Sequence, residues 1–351
     1  MKTVNEQILD ETISHQIGLQ GYSTATVRKI IALINRAELD VVEQIREVND
    51  LSTVTRLNKL LVNLRAVLKE AYGVINGTLD EELLDLSKYE AEFQESMITA
   101  AVPIKLDLEM PTAAKLSAAV NSRPFQGRLL KEWYAQLEEA AQVRLRGAVR
   151  MGFTEGATVD DIVRRVRGTK GLQYRDGVTE ISRRGAEALV RTAVSHTANS
   201  AREAVYKENT DVISAVQWVS TLDSRTTLIC ISRDGKTYPP GTGPRPPAHI
   251  NCRSTTVPVI KSWKELGINL SEAPPGTRAS MDGQVAETTT YNSWLKTRSV
   301  SFQEEVLGKA RAKLFREGGL NVDRFVDRNG RGYTLEELRN REAEAFKAAG
   351  L

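Results

Sequence analysis

Trp218-Val219-Ser220-Thr221-Leu222-Asp223-Ser224-Arg225-Thr226-Thr227-Leu228-Ile229-Cys230, followed by Asp234-Gly235-Lys236 and then Pro246-Pro247-Ala248-His249-Ile250-Asn251-Cys252-Arg253, is the stretch on which the reading of this chain turns. It gathers both cysteines and one of the three histidines into one short segment. That density is expected of a small metal-stapled knuckle rather than of an ordinary core. Just upstream, Val212 to Val219 alternates as a strand does, with Ile213, Ala215 and Gln217 opposite Ser214, Val216 and Trp218. Thr255, Thr256 and Val257 suggest a second strand around Arg253 to Val259, so the Pro- and Gly-rich segment between the two reads as a β-hairpin Cys/His knuckle.

Outward from the knuckle the pattern is helical. Thr179 to Asn209 reads as one long helix whose interior holds Arg191, Thr192, His196, Asn199 and Arg202. Spacings of three and four bring these polar residues to adjoining faces, where hydrogen bonds to a neighbouring strand would fix the helix in place. Further upstream, Thr24 to Arg46 carries an apolar stripe near the 3.6-residue period. Ser52-Thr53 opens a second helix, Asn76-Gly77 punctuates it, and Thr78 is an N-cap for Leu79 to Ala101. These helices suit either a self-contained bundle or a scaffold that docks onto neighbours. Leu106 to Arg128 is a Pro- and Ser-punctuated connection in which Pro111-Thr112 restarts a short helix. Leu129 to Met151 is helical and is closed by Gly152 and Gly156. Thr158-Val159-Asp160-Asp161 has capping-box form and starts a helix that stops at Gly168. Beyond Ser271, Ala273-Pro274-Pro275-Gly276-Thr277 begins a flexible stretch continuing to Thr290, followed by helix signals at Trp294-Leu295, Phe302 to Lys313 and Thr334 to Phe346.

The fold class expected is therefore mainly α-helical and multi-domain, with a small α+β C-terminal domain containing the knuckle. The expected divisions are residues 1–105 (long helices), 106–178 (linker and middle helices), 179–262 (long helix, strands and knuckle) and 263–351 (linker and helical extension). A length of 351 residues suits more than one folding unit. Hydrophobic content of 41% and charged content of 26% are those of a globular chain.

The net charge of +3 names no polyanionic partner, but its distribution is uneven. From Ile162 to Lys207 the basic residues include Arg164, Arg165, Arg167, Lys170, Arg183 and Arg184, and the local surplus is about six positive charges. Such a face could contact DNA phosphates without reading sequence, or be a solvated helix surface. Two cysteines and no leader-like start point to cytosolic synthesis, and no apolar run is long enough to span a bilayer, so no membrane partner is expected. Dinucleotide, Walker and Gly-x-Ser-x-Gly patterns are absent.

The ordered set Arg191-Thr192, Asn199, Arg202, Trp218, Asp223-Ser224-Arg225-Thr226, Asp234-Gly235 and Pro246-Pro247-Ala248-His249-Ile250-Asn251-Cys252-Arg253 resembles the phage Mu F-like minor head protein family, also called phage head morphogenesis proteins. The resemblance covers roughly Glu180 to Val259, and Ala279 to Val285, Trp294 and Phe302 to Gly308 look like the extension many members carry. It implies a structural protein of the tailed-phage head, made in the host bacterial cytoplasm and carried in the virion. Its implied partners are the portal protein and a scaffold or major capsid protein, in head morphogenesis and in DNA packaging or delivery. Arg191, Thr192, Asn199, Arg202, Trp218, Asp223, Arg225, Gly235, Pro247, Asn251 and Arg253 are its motif positions. Two other readings stand beside it: a DNA-binding protein held on or ejected with the genome, and a zinc-dependent, HNH-like nuclease.

Members commonly show Cys-x-x-Cys followed by His-x-x-Cys, the four ligands of a tetrahedral zinc site. Thr227 stands here in the first cysteine position. That leaves Cys230, His249 and Cys252 as strong donors, with Asp223 or Asp234 as oxygen donors completing one structural zinc site. The alternative is a metal-free knuckle in which Asp223 caps a turn, Arg225 anchors it and both cysteines pack as small hydrophobes.

Overall fold

The computed structural model describes residues 4–48, 53–269 and 277–351. Ser52, expected to open a helix, and the stretch 271–276 lie outside them. The chain is mainly helical, with its small sheets toward the C-terminus. In order the elements are α1 (Val4–Arg46), α2 (Val54–Ala101), α3 (Ala113–Asn121), α4 (Leu130–Thr154), α5 (Val159–Arg167), α6 (Val178–Glu208), β1 (Ile213–Val219), α7 (Leu228–Arg233), β2 (Thr237–Tyr238), β3 (Thr255–Ile260), β4 (Thr277–Ser280), β5 (Gly283–Ala286), α8 (Tyr291–Lys296), α9 (Val300–Leu307), α10 (Lys309–Arg316), α11 (Leu335–Arg341) and α12 (Ala343–Ala348). Two compact units share them: one comprises residues 1–18, 89–112 and 198–351, the other residues 19–88 and 113–197.

The second unit is all helical. Its halves of α1 and α2 bury Ile30, Ile34, Val41 and Ile45 and, on the other helix, Leu60, Leu64, Tyr72, Ile75, Leu79 and Leu83. The break expected at Asn76-Gly77-Thr78 does not occur. The apolar stripe passes through it without a change of phase, and burying Ile75 and Leu79 outweighs the roughly 1 kcal/mol that a helical glycine costs. Gly152, expected to end a helix, lies inside α4 instead. A Cβ there would stand 2.4 Å from Ile162 Cγ1, so the missing side chain is what lets α4 and α5 pack closely. Thr158 caps α5 as its capping box predicts, accepting from Asp161 N at 3.2 Å. The buried Glu38 carboxylate gathers Thr179 Oγ1 at 2.6 Å, Arg183 Nη2 at 2.5 Å and Arg167 Nε at 3.3 Å, tying α1, α5 and the start of α6 into one bundle.

In the first unit the sheet order is β2-β1-β3, all antiparallel, with Trp218 opposite Thr256 and Val219 opposite Thr255. The register shifts between Ile213 and Ala215, which is why Ile213 is buried together with Val216 and Trp218 rather than lying opposite them. The opening turns of α1, helical from Val4 rather than from Thr24, cover this sheet. Leu9 packs with Val219 and Val257, and Asn5 Oδ1 accepts from Ile260 N at 3.1 Å.

A buried polar cluster holds α1, α2, α6 and β3 together. Glu90 and Arg202 are both fully buried and meet at 2.5 Å. His15 Nε2 reaches the other Glu90 oxygen at 2.7 Å while its ring stacks on Phe93. Gln94 donates to Glu90 at 2.9 Å and accepts from Tyr206 Oη at 2.7 Å, and Arg202 Nη1 donates to Thr255. A polar constellation of this depth is stable only because each charge has a partner.

The tail is more ordered than its composition suggests. Thr277 to Ala286 forms the β4–β5 hairpin, and Leu222 and Ile231 join the buried core of the extension with Tyr291, Trp294, Phe315, Phe325 and Phe346. Replacing Glu90 by Leu strands the Arg202 guanidinium, and the expected loss of stability is about 3–5 kcal/mol. Adding Arg202→Met should recover more than half of it. Denaturant midpoints of the two variants check this.

Candidate functional site

The knuckle is built on one turn of helix. β1 delivers the chain to Leu222, the carbonyl and carboxylate groups of 221–226 make a tight turn, and α7 then carries Ile229, Cys230 and Ile231. Cys230 faces Trp218 and Cys252, whereas Ile231 faces the core of the extension. Cys252 returns to the same spot at the end of the Pro246–Cys252 loop, which contains a cis Pro246-Pro247 peptide and turns at Asn251 in the left-handed region, φ 59°. The Cys252 amide closes that turn on His249 O at 3.2 Å.

Cys230, His249 and Cys252 thereby converge. Cys230 Sγ stands 3.3 Å from His249 Nε2 and 3.6 Å from Cys252 Sγ, and all three ligand atoms lie within 4.8 Å of one another. His249 Nδ1 is 2.8 Å from Ile250 O. A carbonyl only accepts, so Nδ1 carries the hydrogen and the Nε2 lone pair points at the sulfurs, the orientation that metal-binding histidines take. With Zn–S near 2.3 Å and Zn–N near 2.0–2.1 Å, ligand atoms of a tetrahedral site stand roughly 3.5–3.8 Å apart. The donor set fits three corners of such a site. The group can hold a metal ion. The Thr227 and Ser254 hydroxyls bond to Cys230 and favour its thiolate. In the protein alone, the hydrogen bond between the sulfurs and burial push the Cys230 thiol up, whereas the same hydrogen bond and His249 hold Cys252 low. His249 is raised, first by its bond to Cys252.

The two carboxylates considered as oxygen donors are occupied elsewhere. Asp223 binds Arg253 through both oxygens, at 2.6 and 2.8 Å, and accepts from Arg225 N at 3.0 Å and Thr226 Oγ1 at 3.2 Å. Burial alone would raise its pKa, but the Arg253 bonds win and hold it below the usual range. Asp223 therefore caps the turn, while the anchoring arginine is Arg253. The Arg225 side chain is 79% exposed and comes no nearer than 3.8 Å. Asp234 is buried and receives Ser220 N and Tyr291 N, each at 2.6 Å, and the Arg278 guanidinium at 3.1 and 3.2 Å. Among the described residues, the group able to hold a metal comprises Cys230, His249 and Cys252.

Other motif positions support this frame. Trp218 is buried, donates Nε1–H to Ser220 Oγ at 2.9 Å and lies under Arg233. Gly235, at φ 78°, donates to Trp218 O, and a Cβ there would meet Thr290 Cγ2 at 2.8 Å. Pro247 is buried beside the donor loop. Asn199 and Arg202 reach Thr256 and Thr255 of β3, the strand contact expected of the polar helix face. Thr192 and His196, on the same helix, belong to the other unit. Thr192 bonds back to Ala188 O, and Arg191 pairs with Glu187. Arg278 and Tyr291, which hold Asp234, carry no motif and lie within or just after the stretch read as flexible, so nothing in the sequence marked them.

Of the basic residues considered for DNA phosphates, five are paired within the chain. Arg164 is bound to Asp161, Arg165 to Glu155, Arg167 and Arg183 to Glu38, and Arg184 to Glu180. Lys170 is exposed.

His196 is buried against Phe125, and its pKa is lowered to about 4 by desolvation and by Arg123. An unfolded chain protonates this histidine near 6.5, so between about pH 6.5 and 4 the unfolded state binds more protons and stability falls as pH falls. The full loss is about 3 kcal/mol. A His196→Leu variant should lack that slope, which thermal melts from pH 7 to pH 4 will show.

Residues 143–257 match the family model described as Phage Mu protein F like protein. Comparison with curated proteins and with solved structures gives no match. The matched span holds α6, β1, β2, the start of β3 and every donor of the knuckle, and it supports a phage head morphogenesis protein in general. Residues 143–257 of this chain are thus similar to the family described as Phage Mu protein F like protein.

Proposed function

We propose that the chain is a minor head protein of a tailed phage, carried in the virion and acting beside the portal in head morphogenesis, with DNA packaging or delivery as the process it serves. The observation that carries this reading is the match over residues 143–257, which falls on the knuckle and its supporting helix α6 and lies wholly beyond α1 and α2. The surroundings of the donors also favour assembly over catalysis. Cys230 and Cys252 are 1% and 4% exposed, and the nearby carboxylates Asp223 and Asp234 are held by arginines, leaving none facing the donors as a general base. The nuclease reading therefore has less support than the assembly reading. The DNA-binding reading is weakened by the five internally paired arginines, since a guanidinium bound to a carboxylate contributes little to counterion release.

Within this reading Cys230, His249 and Cys252 hold one structural zinc ion, which would fix α7 to the Pro246–Cys252 loop. No helix among the described residues is long and apolar enough to cross a membrane. The helical first half of the chain is the segment offered to the portal or to a scaffold or major capsid protein.

Co-expression with the portal protein of the same phage tests the assembly role. The two should co-purify, and a portal that elutes alone would remove it. For the ion, protein purified without metal-affinity resin should contain about one zinc per chain, and Cys252→Ser should lose it. Thr227→Cys, which supplies a fourth soft ligand, should slow zinc release to a chelator by tenfold or more. Zinc well below one per chain would overturn the metal and leave the assembly role standing.

A further inference from the structure

On the all-helical unit, α2 and α4 diverge to leave an open groove of about 450 Å³. Leu61, Leu64 and Leu68, with the exposed Arg65 among them, line its α2 wall at helical spacing. On its α4 wall Val143 is 49% exposed. Val143 is thus an exposed apolar residue of the groove's own lining, set among the charged side chains of Arg65, Glu138, Glu139 and Arg146.

The charges on that face are arranged in mirror order about Val143. Glu139 precedes Val143 by one turn and Arg146 follows it by one, so along α4 the stripe reads acid, apolar, base. Both charged residues are exposed, and neither has an ion-pair partner among the described residues. When a second α4 is laid antiparallel across the first, about a two-fold axis near Val143, the order reverses. Glu139 of each helix then meets Arg146 of the other, and each Val143 faces the other copy's groove. A surface that is complementary to itself under a two-fold is what an isologous dimer contact requires. A different helical partner would need to carry the same acid–apolar–base order in reverse, whereas a second copy carries it already.

We propose that this α2–α4 face is the surface through which two copies of the chain associate, with α4 packed antiparallel on α4. The pairing sets both register and direction, as charged flanks do in coiled coils. It is independent of the metal and of the head-protein reading, because its residues lie outside the knuckle.

Sedimentation of the full chain at concentrations up to about 100 µM reads the association directly. The wild type should form a dimer. Arg146→Glu and Glu139→Arg should each place two pairs of like charges at the contact and weaken the dimer roughly tenfold or more. The double variant, Glu139→Arg with Arg146→Glu, should restore it. Val143→Lys should give a monomer, with circular dichroism melts confirming that each variant is folded. A wild type that remains monomeric throughout, or a dimer that none of the three single substitutions weakens, would overturn the proposal.

Discussion

Everything in the first unit is referred to the ion pair between Glu90 and Arg202. Neither group touches water, so each would be intolerable without the other. Around that pair the chain assembles pieces distant in sequence: His15 from the start of α1, Gln94 further along α2, Tyr206 from the end of α6 and Thr255 from β3. The hydrogen bonds are directional, so the pair selects one arrangement of those elements where apolar packing alone would accept several. Arg202 thereby joins the polar face of α6 to the strand that leads back from the knuckle. The donors of the knuckle inherit their positions from this anchoring.

A similar logic governs the knuckle itself. Two arginine–aspartate pairs frame it, Arg253 with Asp223 and Arg278 with Asp234, and between them they occupy the oxygen ligands that a metal would otherwise find. The three soft donors are left to themselves, in a pocket closed by Trp218 on the apolar side. Thr227 then matters by what it lacks. It sits at the N-cap of α7 with its hydroxyl bonded to Cys230, where a cysteine would have added a soft donor.

Much of this was legible in residue order. The long helices, the capping boxes at Thr158 and Thr334, the alternating strand and the converging Cys and His follow from periodicity and spacing. Three things were not. The helix through Asn76-Gly77-Thr78 was hidden because local turn chemistry argues one way and tertiary burial of Ile75 and Leu79 argues the other, and burial is the larger quantity. The partners of Asp223 and Asp234 were hidden because pairing is a property of the fold: Arg278 stands forty-four residues from Asp234 in a segment whose prolines and glycines read as a linker. The neutralisation of Arg167 and Arg183 was hidden for the same reason, since the Glu38 that binds both lies far upstream.

The burial of Asp234 has a consequence for how the chain comes into being. Its carboxylate is made before Arg278 and well before the Tyr291 amide, fifty-seven residues later, and it needs both once water is excluded. During synthesis at about 5–20 residues per second, the donors of the knuckle therefore emerge seconds ahead of the groups that bind Asp234. In that interval the two thiols and the imidazole are open to solvent, and any ion destined for them has its widest passage. Once the β4–β5 hairpin forms and Arg278 reaches Asp234, the turn between β1 and α7 is fixed from both sides, and the half-buried His249 is the donor that still faces outward.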